Sequence, residues 1–252
     1  MLTAWLNFVC SPSFMWAWIA LAVVTAISLT RITAPYGRHG RAGWGPVVSA
    51  RTAWFWMEIS ALLGLGLCIG VGGLKTPHAV LIAAIYGGHY VYRSLIYPLL
   101  SPPSAAPASV LVVVLAFVFN VFNSTIVGGW SLVVGPDEAI GVMDAIGLGL
   151  VVLGFGIHFR ADATLRNLRR DHGPGYHIPR GGLYRFVSCP NYLGELTQWL
   201  GLALIVDALA GWTFVIWSAA NLVPRALKHH AWYHTRFADY PKSRKAIVPG
   251  LL

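Results

Sequence analysis

ASVLVVVLAFVFNVFNSTIVGGW, Ala108–Trp130, is a run of 23 residues without a charged side chain. At about 1.5 Å rise per residue, a helix of this length covers the ~30 Å hydrocarbon core of a bilayer. Such a run is too long for a buried strand and too uniformly apolar for a helix with one face in water. The rest of the chain repeats the pattern. Of 252 residues 56% are hydrophobic and only 11% are charged, against about 25% charged in soluble domains. Working outward from Ala108–Trp130, six more spans are expected, at about Leu6–Leu29, Ala53–Gly73, Ala79–Leu100, Ala139–His158, Tyr192–Ala210 and Gly211–Ala231. The last two are the weakest, because Pro224 and Arg225 follow only a short apolar stretch and a tight hairpin at Ala210-Gly211 would join them. The expected fold is an all-α, polytopic membrane protein with seven transmembrane helices.

The basic residues set its orientation. Arg31, Arg38, Arg41 and Arg51 follow the first span, and Arg93 lies near the end of the third. Arg160, Arg166, Arg169, Arg170, Arg180 and Arg185 follow the fifth, and Arg225, Lys228, Arg236, Lys242, Arg244 and Lys245 lie at the C-terminal end. With seven spans these 17 of the 18 lysines and arginines fall on one side, with Lys75 alone on the other. The N-terminus is thus expected outside or in the lumen, and the C-terminus in the cytoplasm. The net charge of +9 is explained by this asymmetry, so no nucleic-acid partner is expected. A cleavable leader ahead of a polar domain is not expected either. Cys10, Cys68 and Cys189 are odd in number and far apart, which supports neither a disulfide framework nor a zinc site. One membrane domain, 1–252, is expected, with the first five spans in 1–157 and a cytosolic loop, two spans and a tail in 158–252.

Ionisable groups inside spans are costly and mark candidate sites. Glu58 lies about five residues inside the second span, and in its neutral form it can donate a hydrogen bond to a carbonyl. Tyr86, His89, Tyr90, Arg93 and Tyr97 form one helical stripe in the third span. His158, Asp162, Arg166, Arg169 and Arg170 continue the fifth span as a polar helix. Asn191, Glu195 and Gln198 share one face near the sixth span, and Arg225, His229 and Tyr233 share another beyond the seventh. Ordinary alternatives are interhelical packing, snorkelling arginines, a solvated ion-paired helix and lipid headgroup binding. Headgroup binding accounts for the basic residues but not for Glu195 or Asn191. Residues 31–51 read as a Gly-rich surface loop with few chemical groups.

Arginines beside amides, carboxylates and tyrosines suit a phosphorylated, hydroxyl-rich ligand. The chain has neither a GxGxxG turn after a strand nor a Walker sequence, so a nucleotide would be held by side chains in a helical cup. No metal is expected, since only His158 and Asp162 have ligand-like spacing, and no GxSxG or Ser-His-Asp set is evident. These residues describe a lipophilic substrate entering from the bilayer and an anionic cofactor entering from the cytosol.

The runs YHIPRGGL (176–183), VSCPNYLGE (187–195) and DYPKSRKAIVP (239–249) identify a relative. Together with Leu168-Arg169-Arg170, Pro224-Arg225-Ala226, His229-His230 and Tyr233, they resemble the steroid 5-alpha-reductase family, densely over residues 158–250 and more thinly at Trp54–Glu58 and His89–Arg93. The resemblance implies a seven-helix enzyme that uses NADPH to reduce the C4–C5 double bond of a 3-oxo-Δ4 steroid. It implies that Glu58 and Tyr90 hold the 3-oxo group while hydride is delivered to C5. It assigns Arg93, Asp162, Arg169, Tyr176, Asn191, Glu195, Arg225, His229 and Tyr233 to NADPH, and with them His158, where the family often has Asn. A polar cofactor contact expected in the segment Pro98–Pro103 is not evident. Arg169 and Arg93 are expected at the cofactor phosphates.

Two further readings come from other chemistry. A membrane methyltransferase of an isoprenylcysteine or lipid would use a similar cup for S-adenosylmethionine, without needing Glu58 and Tyr90. A related reductase would act on a non-steroid enone lipid. A lipid-binding or transport protein would leave the cytosolic cup unexplained. The expected partners are the steroid and membrane lipid, with no protein partner and a monomeric state. Arginine outnumbers lysine 14 to 4, which suggests a bacterial source and the inner membrane; a eukaryotic source would place the chain in the endoplasmic reticulum membrane.

Overall fold

The computed structural model describes residues 1–35, 37–41, 43–100, 106–137, 139–173 and 175–252. Helices dominate it: α1 (Leu2–Val9), α2 (Pro12–Arg31), α3 (Ala50–Gly72), α4 (Pro77–Val91), α5 (Tyr97–Leu100), α6 (Val110–Gly129), α7 (Val142–His172), α8 (Pro190–Val206) and α9 (Leu209–Arg236). The all-α expectation needs one amendment. Val47–Val48 (β1) and Ala108–Ser109 (β2) form a two-residue antiparallel ladder that ties the loop before α3 to the start of α6.

Five helical stretches are long and apolar enough to cross a membrane: Pro12–Arg31, Ala50–Gly72, Pro77–Leu100, Val110–Val134 and Val142–His172. Their outward faces carry large apolar side chains, among them Trp16, Leu63, Leu115 and Val152, as lipid contact requires. Seven crossings were expected. The remaining two elements, α8 with 17 residues and α9 with its basic C-terminal half, form a hairpin packed inside the bundle. The first expected span is split, because Pro12 opens α2 and the Ser11 hydroxyl caps it by accepting from Phe14 N at 3.3 Å. The α8–α9 turn falls at Asp207-Ala208 rather than Ala210-Gly211, with Asp207 left-handed at φ +43°. Gly211 serves packing instead: a Cβ built there would lie 2.8 Å from Ala203 Cα. Helix α9 also runs through Pro224 without ending.

The α7–α8 contact decides where the polar residues meet. Gly147 and Gly154 on α7 face Gly201 and Gly194 on α8, seven residues apart on both helices. A Cβ at Gly147 would sit 2.6 Å from Gly201 O, and one at Gly194 would sit 2.6 Å from His158 N. Backbone therefore touches backbone, the approach that small residues allow between membrane helices. Beyond this seam, α7 continues as the polar extension read from the sequence, bringing Asp162 to Asn191 at the start of α8.

Candidate active site

At the centre of the bundle, Trp199 of α8 is enclosed by rings from α4 and α9. Its centroid lies 4.4 Å from that of His89, 4.7 Å from Phe214 and 5.9 Å from Tyr86. Tyr90 packs on Tyr86 at 4.8 Å, and its hydroxyl donates to Asn120 Oδ1 at 3.3 Å. Asn120 is fixed in turn by donating from Nδ2 to Met57 O at 2.7 Å, one residue before Glu58. Helices α3, α4 and α6 thus meet at one buried polar cluster. Sequence reading missed Asn120, although a buried amide inside the Ala108–Trp130 run was a usable signal.

Arg93 closes the cluster. The family resemblance assigns it to the cofactor; its Nη2 donates to Glu58 Oε1 at 3.1 Å, and its guanidinium lies over Trp54 and Tyr97 at 4.5 and 4.9 Å. It also sits within electrostatic reach of Glu195 and Asp162. The π-helical turn at Tyr92–Ile96, immediately after α4, carries Arg93.

A second polar layer lies where α7 and α8 diverge. His158 Nδ1 faces Asn191 O at 3.2 Å and Glu195 Oε2 at 3.9 Å, and its Nε2 lies 3.4 Å from Asp162 Oδ2. Asn191 Nδ2 reaches Asp162 Oδ1 at 3.5 Å. His89 Nδ1 meets Gln198 Oε1 at 3.1 Å, and its ring is 6.1 Å from that of His158, which joins this layer to the Tyr90 cluster.

The third layer is at the basic end of the bundle. Arg225 Nε donates to Tyr192 OH at 3.0 Å, and His229 lies 3.8 Å from Cys189 Sγ through Nδ1. Burial pushes the Cys189 thiol up to about 12, so at neutral pH it stays S–H and is no nucleophile. A narrow cleft is lined by Arg169, Tyr176, Tyr233 and Arg38. The loop expected to be chemically poor supplies two groups to this layer. The Arg38 guanidinium stands 5.0, 4.9 and 4.7 Å from the rings of Tyr176, Trp232 and Tyr233, and the His39 ring stacks on that of His229 at 5.2 Å. Hydropathy gives no sign that a polar loop folds back over a distant helix end. Residues 101–103 of the expected Pro98–Pro103 contact, and Pro174, lie outside the described residues.

Burial first, then the charges of Arg225, Arg38, Arg41 and Lys228, lower the His39 imidazole to about 4. The folded state therefore holds His39 neutral where the unfolded chain, near 6.5, already takes up a proton. Its contribution to stability is intact above about pH 6.5 and is lost as pH falls toward 4. Thermal unfolding between pH 7 and 4 is expected to drop less steeply for His39→Phe than for wild type; identical slopes would refute this.

The donor set fits an anionic nucleotide. Carboxylate and amide groups (Asp162, Asn191, Glu195) suit ribose hydroxyls and a carboxamide, while Arg169, Arg225 and Arg38 suit phosphates. Among the described residues, Arg38 Nη1, His39 Nε2 and His229 Nε2 are buried without a hydrogen-bond partner. No three His, Cys, Asp or Glu side chains gather among the described residues as a metal site would require.

Apolar helices enclosing a buried tyrosine, amide and carboxylate, with a cationic cleft at one end, define an integral membrane protein with a polar interior. The chain belongs to the 3-oxo-5-alpha-steroid 4-dehydrogenase family, whose model matches residues 106–252, and it is an oxidoreductase. It is 40% identical over 237 residues to the steroid 5-alpha-reductase DET2 of Arabidopsis thaliana, covering 89% of this chain and 90% of that protein. It is 36% identical over 242 residues to the 3-oxo-5-alpha-steroid 4-dehydrogenase 1 of Bos taurus, covering 92% and 93%. Over 223 residues it is 35% identical to the 3-oxo-5-alpha-steroid 4-dehydrogenase 2 of Rattus norvegicus, covering 86% and 87%.

Proposed function

We propose that this protein reduces the C4–C5 double bond of a 3-oxo-Δ4 steroid at the expense of NADPH. The observation that carries the reading is the succession of three polar layers, Tyr90 with Glu58, then His158 with Asp162 and Asn191, then Arg225 and Arg38. When bound, the reduced nicotinamide supplies the hydride, which goes to C5. Arg93, His158, Asp162, Arg169, Tyr176, Asn191, Glu195, Arg225, His229 and Tyr233 would hold that cofactor.

The chain's own contribution is electrostatic. Hydride addition at C5 moves negative charge onto the 3-oxo oxygen. Tyr90 and the acid form of Glu58 donate hydrogen bonds there, and such donors act most strongly when fixed in advance in a water-poor site. Asn120 fixes the Tyr90 hydroxyl and Arg93 fixes the Glu58 carboxyl. A 3-oxo group at Tyr90 would take the hydrogen bond that Asn120 Oδ1 accepts. The rings of Tyr86, Trp199 and Phe214 keep this end of the site apolar. A proton from water then completes C4.

The topology belongs to the same reading: seven crossings, with the α8–α9 hairpin supplying the last two, the N-terminus outside and the C-terminus cytoplasmic, in a monomer. Residues 1–157 would supply the steroid site and 158–252 most of the cofactor site. The lysine and arginine distribution supports this, because it places the cationic cup where a cytosolic dinucleotide enters.

The direct test is NADPH oxidation by purified protein with progesterone or testosterone, together with NADPH binding by wild type and Arg169→Met. A 5α-dihydro product and a roughly tenfold or greater loss of NADPH affinity in the variant are expected, since hydrogen bonds to charged groups are worth ~1.5–3 kcal/mol. NADPH binding without steroid turnover would redirect the search to another enone lipid. S-adenosylmethionine binding in place of NADPH would overturn the reading.

A further inference from the structure

We propose that Tyr86 is a positioning residue for the reduction: its hydroxyl donates to the Tyr90 oxygen when a 3-oxo group is bound, so that Tyr90 gives a stronger hydrogen bond to the oxygen on which charge gathers. This rests on the steroid reading given above.

Tyr86 and Tyr90 stand four residues apart on α4 and so share one face of it. Their ring centroids are 4.8 Å apart, with an interplanar angle of 44°. Tyr86 is 0% exposed. The rings of Phe214 and Trp199, at 5.4 and 5.9 Å, close over it, and neither side chain supplies a hydrogen-bond acceptor. The Tyr86 hydroxyl is buried without a hydrogen-bond partner among the described residues. Such a hydroxyl costs stability in the resting protein, where a phenyl ring would not. A phenyl ring would fill the same space, so packing does not account for the oxygen.

The polar surroundings leave Tyr90 as its target. Glu58 and Cys68 are also within electrostatic reach of Tyr86. Glu58 already accepts from Arg93, and a thiol sulfur is a weak acceptor. Asn120 is committed through both ends of its amide, to Tyr90 and to Met57 O. Tyr90 spends its single proton on Asn120 Oδ1, and its own oxygen keeps lone pairs that can accept. When a 3-oxo group takes over the hydrogen bond from Tyr90, a small tilt of the two rings brings the Tyr86 hydroxyl to the Tyr90 oxygen. A hydroxyl that accepts a hydrogen bond is a better donor, because chained hydrogen bonds polarise one another and a low local dielectric strengthens each. As hydride addition drives charge onto the 3-oxo oxygen, part of that charge is shared with the Tyr90 oxygen, and Tyr86 stabilises it there. Tyr86 gives up no proton and touches no substrate atom, so its effect passes entirely through Tyr90.

The test is a double-mutant cycle on the full-length protein in detergent or nanodiscs. Wild type, Tyr86→Phe, Tyr90→Phe and the double variant are compared by single-turnover reduction of progesterone or testosterone with saturating NADPH, by KM, and by thermal unfolding without ligands. Tyr86→Phe is expected to lower the single-turnover rate roughly three- to tenfold, with KM for the steroid within about twofold of wild type. Its unfolding temperature is expected to be no lower than that of wild type, because an unpartnered hydroxyl has left an apolar site. In the Tyr90→Phe background the same substitution is expected to change the rate by less than about twofold, since the oxygen that receives the hydrogen bond is gone. The proposal is overturned if Tyr86→Phe turns over at the wild-type rate while Tyr90→Phe is impaired, or if the two losses multiply in the double variant. It is also overturned if the loss in Tyr86→Phe lies in KM alone or follows a lowered unfolding temperature, either of which marks a structural role. A wild-type protein that binds NADPH but reduces neither steroid would instead overturn the steroid reading on which the proposal stands.

Discussion

Tyr90→Phe is expected to lower kcat by about 10²–10³-fold while leaving NADPH affinity unchanged. The substitution keeps the ring against Tyr86 and Trp199 and removes only the hydroxyl that now donates to Asn120. Removing one donor aimed at a developing oxyanion costs about 2.7–4 kcal/mol in other enzymes. The loss should fall on kcat more than on KM, because the hydrogen bond strengthens as charge reaches the oxygen. Single-turnover reduction with saturating steroid and NADPH is the measurement. A variant that turns over at the wild-type rate would remove Tyr90 from the chemistry. Glu58→Gln addresses the partner residue but confounds two effects. It also changes the group to which Arg93 Nη2 donates, which alters stability as well as chemistry. Its kinetics are informative only beside a thermal unfolding curve, which makes Tyr90 the cleaner test.

The second large effect is structural. Gly154→Leu is expected to abolish folding or to destroy NADPH binding, while Gly156→Leu, two residues along the same helix, is expected to do neither. Both substitutions add the same side chain to α7. A Cβ at Gly154 would collide with Gln198 N and Gly194 O, whereas one at Gly156 meets nothing within 4 Å. Overpacking by extra methylenes usually costs ~1–3 kcal/mol because side chains can shift. At Gly154 the obstacle is backbone, so the two helices must part. Parting them separates His158 and Asp162 from Asn191 and Glu195, and with them the middle of the site. Gly201→Leu should behave like Gly154→Leu. Thermal unfolding and NADPH binding of the set decide the matter, and equal behaviour at 154 and 156 would refute it.

Much of this was legible from the chain alone. The uncharged run at Ala108–Trp130 pointed to a membrane helix, because its length matches a spanning helix and is about twice that of a spanning strand, and the structure has a helical stretch there long and apolar enough to cross. The polar residues out of place in such helices, Glu58 and Tyr90 above all, were legible as candidates because polar and ionisable groups are costly in lipid, and the structure brings them into one buried cluster. The runs at 176–195 and 239–249 carried the family resemblance, and the matches to the steroid reductases of plants and mammals show that family. Helix ends were less legible. Pro12 splits the first span and Asp207 shifts the hairpin turn, since caps and left-handed residues act over one or two positions and barely change the hydropathy of a 20-residue window.

Tertiary structure alone decided which polar groups are neighbours. Periodicity tells which residues share a face of one helix, but not which face of another helix they meet. That depends on how closely backbones approach, here set by Gly147, Gly154, Gly194 and Gly201. The pairing of Arg93 with Glu58 and of Tyr90 with Asn120 is of this kind. So is the return of Arg38 and His39 onto α9, across nearly two hundred residues of sequence. A membrane environment and an interior polar site follow from the cost of burying charge, which each residue carries in its own chemistry. The partners that offset this cost are chosen by packing, which no single stretch of the chain contains.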